Sequence, residues 1–184
     1  IVFGDWSSDV CSSDLAVIFP ASQLRILPYN RIVFDLGGLT PAKLREGIAA
    51  HFTVTSADSP SPERPGVVHM YLEKRWWRLV YKGDPASLPP VDGLDVSLLQ
   101  SLVLGPLLGI DDPRVSKRID FVGGIRGTAE LEKRVDSGEA TVAFSMYPTT
   151  LDQLMAIADA NEIMPPKSTW FEPKLRDGLF VHDI

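Results

Sequence analysis

A β-hairpin is predicted by two stretches, Val67-Val68-His69-Met70-Tyr71-Leu72 and Trp76-Trp77-Arg78-Leu79-Val80-Tyr81, which are joined by Glu73-Lys74-Arg75. β-Branched and aromatic residues dominate both stretches, and a short polar connection suits an antiparallel pair. Further strand signals flank a turn at residues 24–34. These features predict that the fold is built on an antiparallel sheet.

Helix signals alternate with these strands. Thr40 followed by Pro41 is typical of a helix start, and Thr150 with Gln153 forms a capping box. A charged helix is predicted at residues 128–137, between buried strands. The apolar run from Val96 to Leu108 predicts a core helix that Pro106 bends or ends. Residues 53–66 predict a surface loop, and residues 179–182 predict a last strand. The predicted fold class is α+β: a mixed, mainly antiparallel sheet with helices packed on one side.

The amino terminus does not fit this pattern. Residues 5–15 resemble a sequencing adapter translated in frame, because the segment is rich in serine and has no apolar periodicity. We therefore expect residues 1–15 to be a non-native, disordered leader, as in a metagenomic fragment. Residues 16–184 are expected to form a single α+β domain. Because residues 16–19 already resemble a buried strand, we expect this domain to be the C-terminal part of a longer chain.

The net charge, the cysteine count and the lengths of the apolar runs limit which partners and which cellular location are expected. The formal charge of −6 becomes −3 once the three aspartates of the leader are removed, which argues against nucleic acid or an anionic membrane as a partner. The single cysteine, Cys11, lies in the leader, so a reducing compartment and a cytoplasmic location are expected. No apolar run reaches the ~18 residues of a membrane span. The three histidines lack ligand spacing, so no metal site is assigned.

One candidate site is a glycine-rich bend between a strand and a helix. Glycines at such a place can take positive φ and direct main-chain N–H groups at an anion, and the neighbouring cations would add to the attraction. The alternative is that the glycines only turn the chain, since neither the dinucleotide fingerprint nor the Walker loop is present. The candidate phosphate-binding residues here are Lys117, Arg118, Gly123, Gly124, Arg126 and Gly127.

A second candidate is the segment Met164–Arg176, whose prolines were expected to exclude regular structure. Glu172 is a candidate general base or magnesium ligand, Ser168 and Thr169 are candidate phosphate or metal ligands, and Lys167 and Lys174 would neutralise charge. The alternative is that the hydroxyls cap local backbone and the aromatic residues pack. We favour a functional role because charge this dense between aromatic residues is unusual in a connection.

Several longer motifs resemble a known family. They occur in order across residues 16–182 and resemble the bacterial and archaeal domain of unknown function 1015, whose chains are about twice as long as this one. The motifs are Gln23–Arg31, Leu94–Gln100, Gly109–Arg114, Lys117–Gly127, Arg134–Glu139 and Met164–His182.

The resemblance carries expectations about function. The other half of the family's chains bears a motif similar to that of ParB-like proteins, a group that includes nucleotide-dependent kinases of free serine. The resemblance therefore implies that this chain supplies one wall of a nucleotide or phosphate site and is inactive alone. Its expected partners are a small-molecule or nucleotide ligand and the missing N-terminal half of the same protein. The cofactor is left open, with ATP or ADP and Mg²⁺ as the candidates.

The leading hypothesis is that the intact protein is a small-molecule phosphotransferase, with Asp120, Glu172 and Lys167 as candidate catalytic residues. A non-catalytic ligand-binding or regulatory module is the alternative. A DNA-associated role, which the family is sometimes assigned through a helix-turn-helix label, is disfavoured by the acidic net charge.

Overall fold

The computed structural model describes residues 2–3, 17–18 and 20–174. Strands β1 (Val2–Phe3) and β2 (Val17–Ile18) pair antiparallel, so two positions of the predicted leader take part in a short ladder. Most of that leader and the predicted strand at residues 179–182 lie outside the described residues. The identification of an adapter leader therefore stays a prediction.

A six-stranded sheet forms the centre of the described part of the chain. Its strand order is β5-β7-β6-β9-β4-β8, and all five neighbouring pairs run antiparallel, which confirms an α+β fold on a mainly antiparallel sheet. The strands are β3 (Arg25–Leu27), β4 (Tyr29–Val33), β5 (Phe52–Ser56), β6 (Val67–Leu72), β7 (Arg75–Tyr81), β8 (Ile119–Gly123), β9 (Val142–Met146) and β10 (Trp170–Glu172).

The predicted hairpin is β6 and β7. Glu73 and Lys74 connect the two strands with φ values of 55° and 59°, the left-handed backbone of the tight turns that suit twisted hairpins. The prediction of a loop over residues 53–66 was wrong at its start. There the chain forms β5, whose alternating threonines pair with the outer edge of β7 before the prolines begin.

Among the described residues, four α-helices connect and cover the strands, and two of them begin at the predicted caps. The side chain of Thr40 accepts a hydrogen bond from the Lys43 amide, and Thr150 and Gln153 form the reciprocal capping box. No helix in the described residues is both long enough and apolar enough to cross a membrane. The helices are α1 (Pro41–Ala49), α2 (Asp95–Leu99), α3 (Ala129–Asp136) and α4 (Leu151–Asp159).

A π-helical turn at Gln100–Leu104 follows α2 directly. The Gly105 amide donates to the carbonyl of Gln100 at 3.0 Å, and the turn ends before Pro106, which has no amide hydrogen to continue the pattern. The predicted interruption at this proline is therefore present. Wide turns of this kind are rare and are found frequently at functional sites.

The core divides between the two faces of the sheet because successive side chains of a strand point in opposite directions. One face, which includes Val33 and Phe144, packs against α1, α2 and α4. The other face, which includes Ile32 and Ala143, packs against Leu131 of α3. The prediction that all helices pack on one side of the sheet was therefore wrong for α3. This helix, which connects β8 to β9 in sequence, packs on the face opposite to α1, α2 and α4.

The proline-rich segment also forms regular structure, contrary to expectation. Strand β10 pairs antiparallel with β3, with Trp170 opposite Leu27 and Glu172 opposite Arg25. Proline excludes a backbone donor only at its own position, and β10 lies between Pro166 and Pro173. This small two-stranded sheet fixes the segment beside the start of β4 and the end of β8.

Candidate functional site

The glycine-rich bend and the proline-rich segment meet in a cavity of about 370 Å³ at β8, the outermost strand of the sheet. We call it the edge cavity. Four of the predicted site residues line it, together with residues from β4, α3 and β10. The predicted lining residues are Asp120, Gly123, Arg126 and Lys167, and the others are Tyr29, Phe121, Ile125, Arg134 and Trp170.

The charges in the edge cavity are organised by Arg134 of α3. Its Nη1 donates to Asp120 Oδ2 at 3.0 Å, and its Nε donates to Glu139 Oε1 at 2.8 Å. Burial alone would lower the pKa of Arg134, but its hydrogen bonds with Glu139 and Asp120 raise the pKa above its usual value. The main-chain amide of Phe121 donates to Asp120 Oδ1 at 2.7 Å. Asp120 is thus held in place as an oriented carboxylate.

Aromatic residues form another wall of the edge cavity. The rings of Tyr29 and Trp170 meet edge to face with their centroids 5.3 Å apart, and Lys167 Nζ lies 5.6 Å from the centre of the Tyr29 ring. Lys167 has a φ of 56°, an uncommon conformation for a residue with a side chain. Its ammonium group is exposed and its carbonyl oxygen accepts from Arg31 Nη2 at 3.2 Å.

The glycines of the bend are explained by close packing. A Cβ atom at Gly123 would lie 2.5 Å from the ring of Trp170, and one at Gly124 would lie 2.7 Å from Pro28. The amide of Gly124 donates to the Pro28 carbonyl and that of Gly127 to the Gly124 carbonyl. These two N–H groups are not turned toward an anion, as the sequence had suggested. The cations that line the cavity are side chains of Arg126, Arg134 and Lys167.

Part of the predicted site serves local structure instead. Ser168 is buried, its hydroxyl donates to the Pro165 carbonyl at 2.7 Å, and its own carbonyl accepts from Thr149. Glu172 accepts a hydrogen bond from the Trp170 indole at 2.6 Å. Lys174 Nζ lies 4.2 Å from the centre of the same indole ring. The structure therefore does not place Ser168, Glu172 or Lys174 on the cavity wall, nor the half-buried Thr169.

The two cations that precede β8 lie away from the edge cavity. Arg118 forms a salt bridge with Asp35 and donates to the Leu108 carbonyl at 2.7 Å, so it ties two loops together. That salt bridge is the main reason that the pKa of Asp35 is lowered. Lys117 is exposed to solvent. Of the predicted basic residues, only Arg126 and Lys167 line the edge cavity.

Sequence reasoning missed two arginines, Arg134 and Arg31. Arg31 is 4% exposed and lines a separate cavity of about 770 Å³, which we call the large cavity. The available signal was strand alternation, which places Arg31 of β4 on the same face as the buried Val33. In the part of the chain that the structure describes, no group of three or more His, Cys, Asp or Glu side chains has the arrangement of a metal site.

Comparisons with known proteins agree with this architecture. Residues 10–97 match the family described as "Protein of unknown function (DUF1015)". The fold is similar to free serine kinase in complex with AMP, with a TM-score of 0.51 and 12% identity over 86% of this chain and 59% of that one. A mutant of that kinase in complex with AMP gives a TM-score of 0.50 and 12% identity over 82% and 55%. The chain thus spans less than two thirds of these kinases, and at this identity the likeness concerns the fold alone. No curated protein matches the sequence.

Proposed function

We propose, from the premise that residues 10–97 carry a domain of this family of unknown function, that the intact protein is a small-molecule phosphotransferase and that the edge cavity is one wall of its phosphate site. One observation carries the proposal. Asp120 and Arg126 of the glycine-rich bend and Lys167 of the proline-rich segment, which is distant in sequence, line the same cavity. The likeness of the fold to a kinase supports the same class of reaction.

The charge of the edge cavity suits a phosphate group. Three of its lining residues are cations and one is an anion, so the field inside favours negative ligands. Arg126 and Lys167 are exposed and free to turn toward a ligand, whereas Arg134 is already committed to carboxylates. Tyr29 and Trp170 add an aromatic wall of the kind that contacts nucleobases. The ligand class proposed is therefore a nucleotide, with ATP or ADP as candidates.

The proposed roles follow from these positions. Arg126 and Lys167 hold the phosphate oxygens and stabilise the charge that develops as the phosphoryl group moves. Asp120, held by Arg134, accepts the proton of the substrate hydroxyl. The hydroxyl oxygen forms a bond to the terminal phosphorus, the bond from that phosphorus to the nucleotide breaks, and the nucleotide leaves with one phosphate fewer. Mg²⁺ with the nucleotide would supply the usual charge neutralisation, and the free lone pairs of Asp120 and the nucleotide phosphates are the oxygens suited to it. Gly123 and Gly124 shape the wall and leave the binding to side chains.

Ligand binding by this chain provides the first test. Arg126→Ala and Lys167→Ala should each weaken ADP binding by on the order of tenfold, because each removes a charged phosphate contact. Lys117→Ala is the matched control, since Lys117 is an exposed lysine before the same strand that does not line the cavity. Calorimetric titration measures the affinities. Equal losses in all three variants would reject the site.

A non-catalytic binding module is the second candidate. The salt bridge between Arg134 and Asp120 favours it, because that contact occupies one oxygen of the only carboxylate that the described residues place on the wall. Turnover in a longer protein of the family separates the two. If Asp120 is the base, its replacement by asparagine lowers the rate by on the order of 10² or more and leaves nucleotide affinity unchanged. A pure binder gains thermal stability with ADP and converts nothing.

A further inference from the structure

Arg31 is a buried cation without a counter-ion among the described residues. Its Nη1 and Nη2 groups donate to the main-chain carbonyls of Tyr29 and Lys167, the second at 3.2 Å, and its guanidinium lies 5.5 Å from the centre of the Phe121 ring. Burial lowers its pKa to about 10, so it is still protonated at neutral pH. These two bonds use two of the five N–H groups of the guanidinium, which leaves three for another acceptor.

Burying the charged guanidinium of Arg31 without a counter-ion lowers the free energy of unfolding. Removing an ion from water costs several kcal/mol unless an opposite charge compensates for it, and carbonyl dipoles do so only in part. By contrast, Arg118 forms an ion pair with Asp35, and Arg134 forms one with Asp120. An uncompensated cation that also lines a cavity is the arrangement expected where the opposite charge arrives with a ligand.

The large cavity next to Arg31 has the size and composition of a small-molecule site. Its volume of about 770 Å³ falls within the usual ~300–1,000 Å³ range of such sites. Val96 and Leu98 of α2 contribute apolar surface, and Ser101 of the π-helical turn lies on the same lining. Gln100 Nε2 donates to the Ile110 carbonyl at 2.7 Å, which holds the neighbouring loop against the turn. The cavity is therefore built by fixed elements.

The charges at the large cavity discriminate among anions. Asp92, Asp111 and Asp112 line it, and Arg114 pairs with Asp112 at 2.7 Å. With Arg31 counted, three carboxylates face two cations, so a polyphosphate would meet net repulsion there. A single carboxylate carries less charge and meets less of this repulsion, and its geometry matches the planar donor groups of the buried guanidinium. The edge cavity shows the opposite balance, with cations in excess.

We propose that the large cavity binds a small organic carboxylate, with its carboxylate group against Arg31 and its apolar part against α2. This site is separate from the phosphate site proposed at the edge cavity. Its ligand supplies the negative charge that Arg31 lacks. The apolar lining selects a carboxylate that carries a hydrocarbon or aromatic body.

Benzoate is a suitable probe for the 184-residue chain, because it joins a carboxylate to an aromatic ring. Sodium benzoate should raise the melting temperature of the wild-type chain by a few degrees relative to sodium chloride at equal ionic strength. Benzyl alcohol, of similar size without charge, is the ligand control, and inorganic phosphate tests the other anion class. Arg31→Met, which keeps the length of the side chain and removes its charge, should reduce the benzoate shift to that of benzyl alcohol.

Two further variants keep the test decisive. Arg126→Ala in the edge cavity should retain the full benzoate shift, which separates this proposal from the phosphate site. Ser101→Trp, at an exposed position of the lining, should block the large cavity without touching Arg31 and abolish the shift even if Arg31→Met fails to fold. The proposal is overturned if benzoate protects Ser101→Trp or a folded Arg31→Met as well as it protects the wild type. Loss of the shift in Arg126→Ala, or protection by phosphate in place of benzoate, also overturns it.

Discussion

The two cavities differ in how their charged groups are balanced. At the edge cavity, Asp120, Arg134 and Glu139 form a chain of ion pairs that is partly open to water. On the side of the large cavity, Arg31 is 4% and Asp95 is 7% exposed, and neither makes an ion pair among the described residues. Arg134 at the edge cavity is paired with carboxylates of the fold, whereas Arg31 and Asp95 are buried without an ion-pair partner among the described residues. The difference teaches that a charge on one cavity wall can be paired within the fold while a charge on another is left for a ligand to pair.

The largest expected effect concerns Asp95, the first residue of α2. Its Oδ1 accepts from the Gly66 amide at 2.7 Å, and burial raises its pKa to about 7. Because the folded pKa lies above the unfolded value near 4, this group's stabilising contribution is complete below about pH 4 and is lost as pH rises through 7. Asp95→Asn should therefore be more stable than the wild type at pH 8, by up to about 4 kcal/mol, with no difference of this origin at pH 4.

Urea unfolding of both chains from pH 4.5 to 8 measures this difference. Asp112→Asn is the control, because Arg114 lowers the pKa of Asp112 to about 2 and its contribution is lost only below about pH 4. A curve for Asp95→Asn that runs parallel to the wild type over this range would mean that Asp95 is not isolated, and the contrast between the two regions would be weaker.

A matched pair of truncations gives the next effect. Leu98 is 4% exposed and lines the large cavity, whereas Ile125 is 62% exposed and lines the edge cavity. Leu98→Ala should cost about 3 kcal/mol of unfolding free energy, because it removes buried methyl groups from the core. Ile125→Ala should change it by less than about 0.5 kcal/mol. Chemical denaturation measures both, and similar costs would show that the two linings are equally rigid.

The smallest expected effect is that of the ion pairs themselves. Arg134→Met should lose about 1 kcal/mol at low salt, since its carboxylate partners are half exposed and can be hydrated when it is removed. Part of this loss should disappear in 0.5 M NaCl, because salt screens the attraction between partly exposed charges. Arg31→Met should show no such salt dependence. Denaturation at two salt concentrations tests the difference, and an equal response of the two variants would contradict it.

Much of the fold could be predicted because its signals are local. The caps at Thr40 and Thr150 and the hairpin around Glu73 depend on neighbouring residues only, and all three are present in the structure. Strand β5 and the far-side position of α3 were missed because each depends on a partner that lies distant in sequence. A short run of threonines becomes a strand only where another strand edge is available to it.

The candidate site divides in the same way. The two charged segments were predicted as separate candidates, and the structure brings Arg126 of the first and Lys167 of the second to one cavity. The hydrogen bond from Ser168 to the Pro165 carbonyl agrees with the alternative interpretation, in which the hydroxyls cap local backbone, whereas the contact of Ser168 with Thr149 depends on the path of the chain. Arg31 was missed because its burial and its lack of a counter-ion depend on packing. A single arginine in a strand pattern does not predict either property.

The position of β4 in the sheet has a consequence for how the chain folds. Val33 pairs with Ile119 on one side and with Val142 on the other, 86 and 109 positions further along. Such pairings must close long loops before they gain any hydrogen bonds, and chains dominated by them fold slowly. During synthesis, β4 and its Arg31 would lack both neighbouring strands until β8 and then β9 had left the ribosome. Ligand recognition would then be the last property that the growing polypeptide acquires.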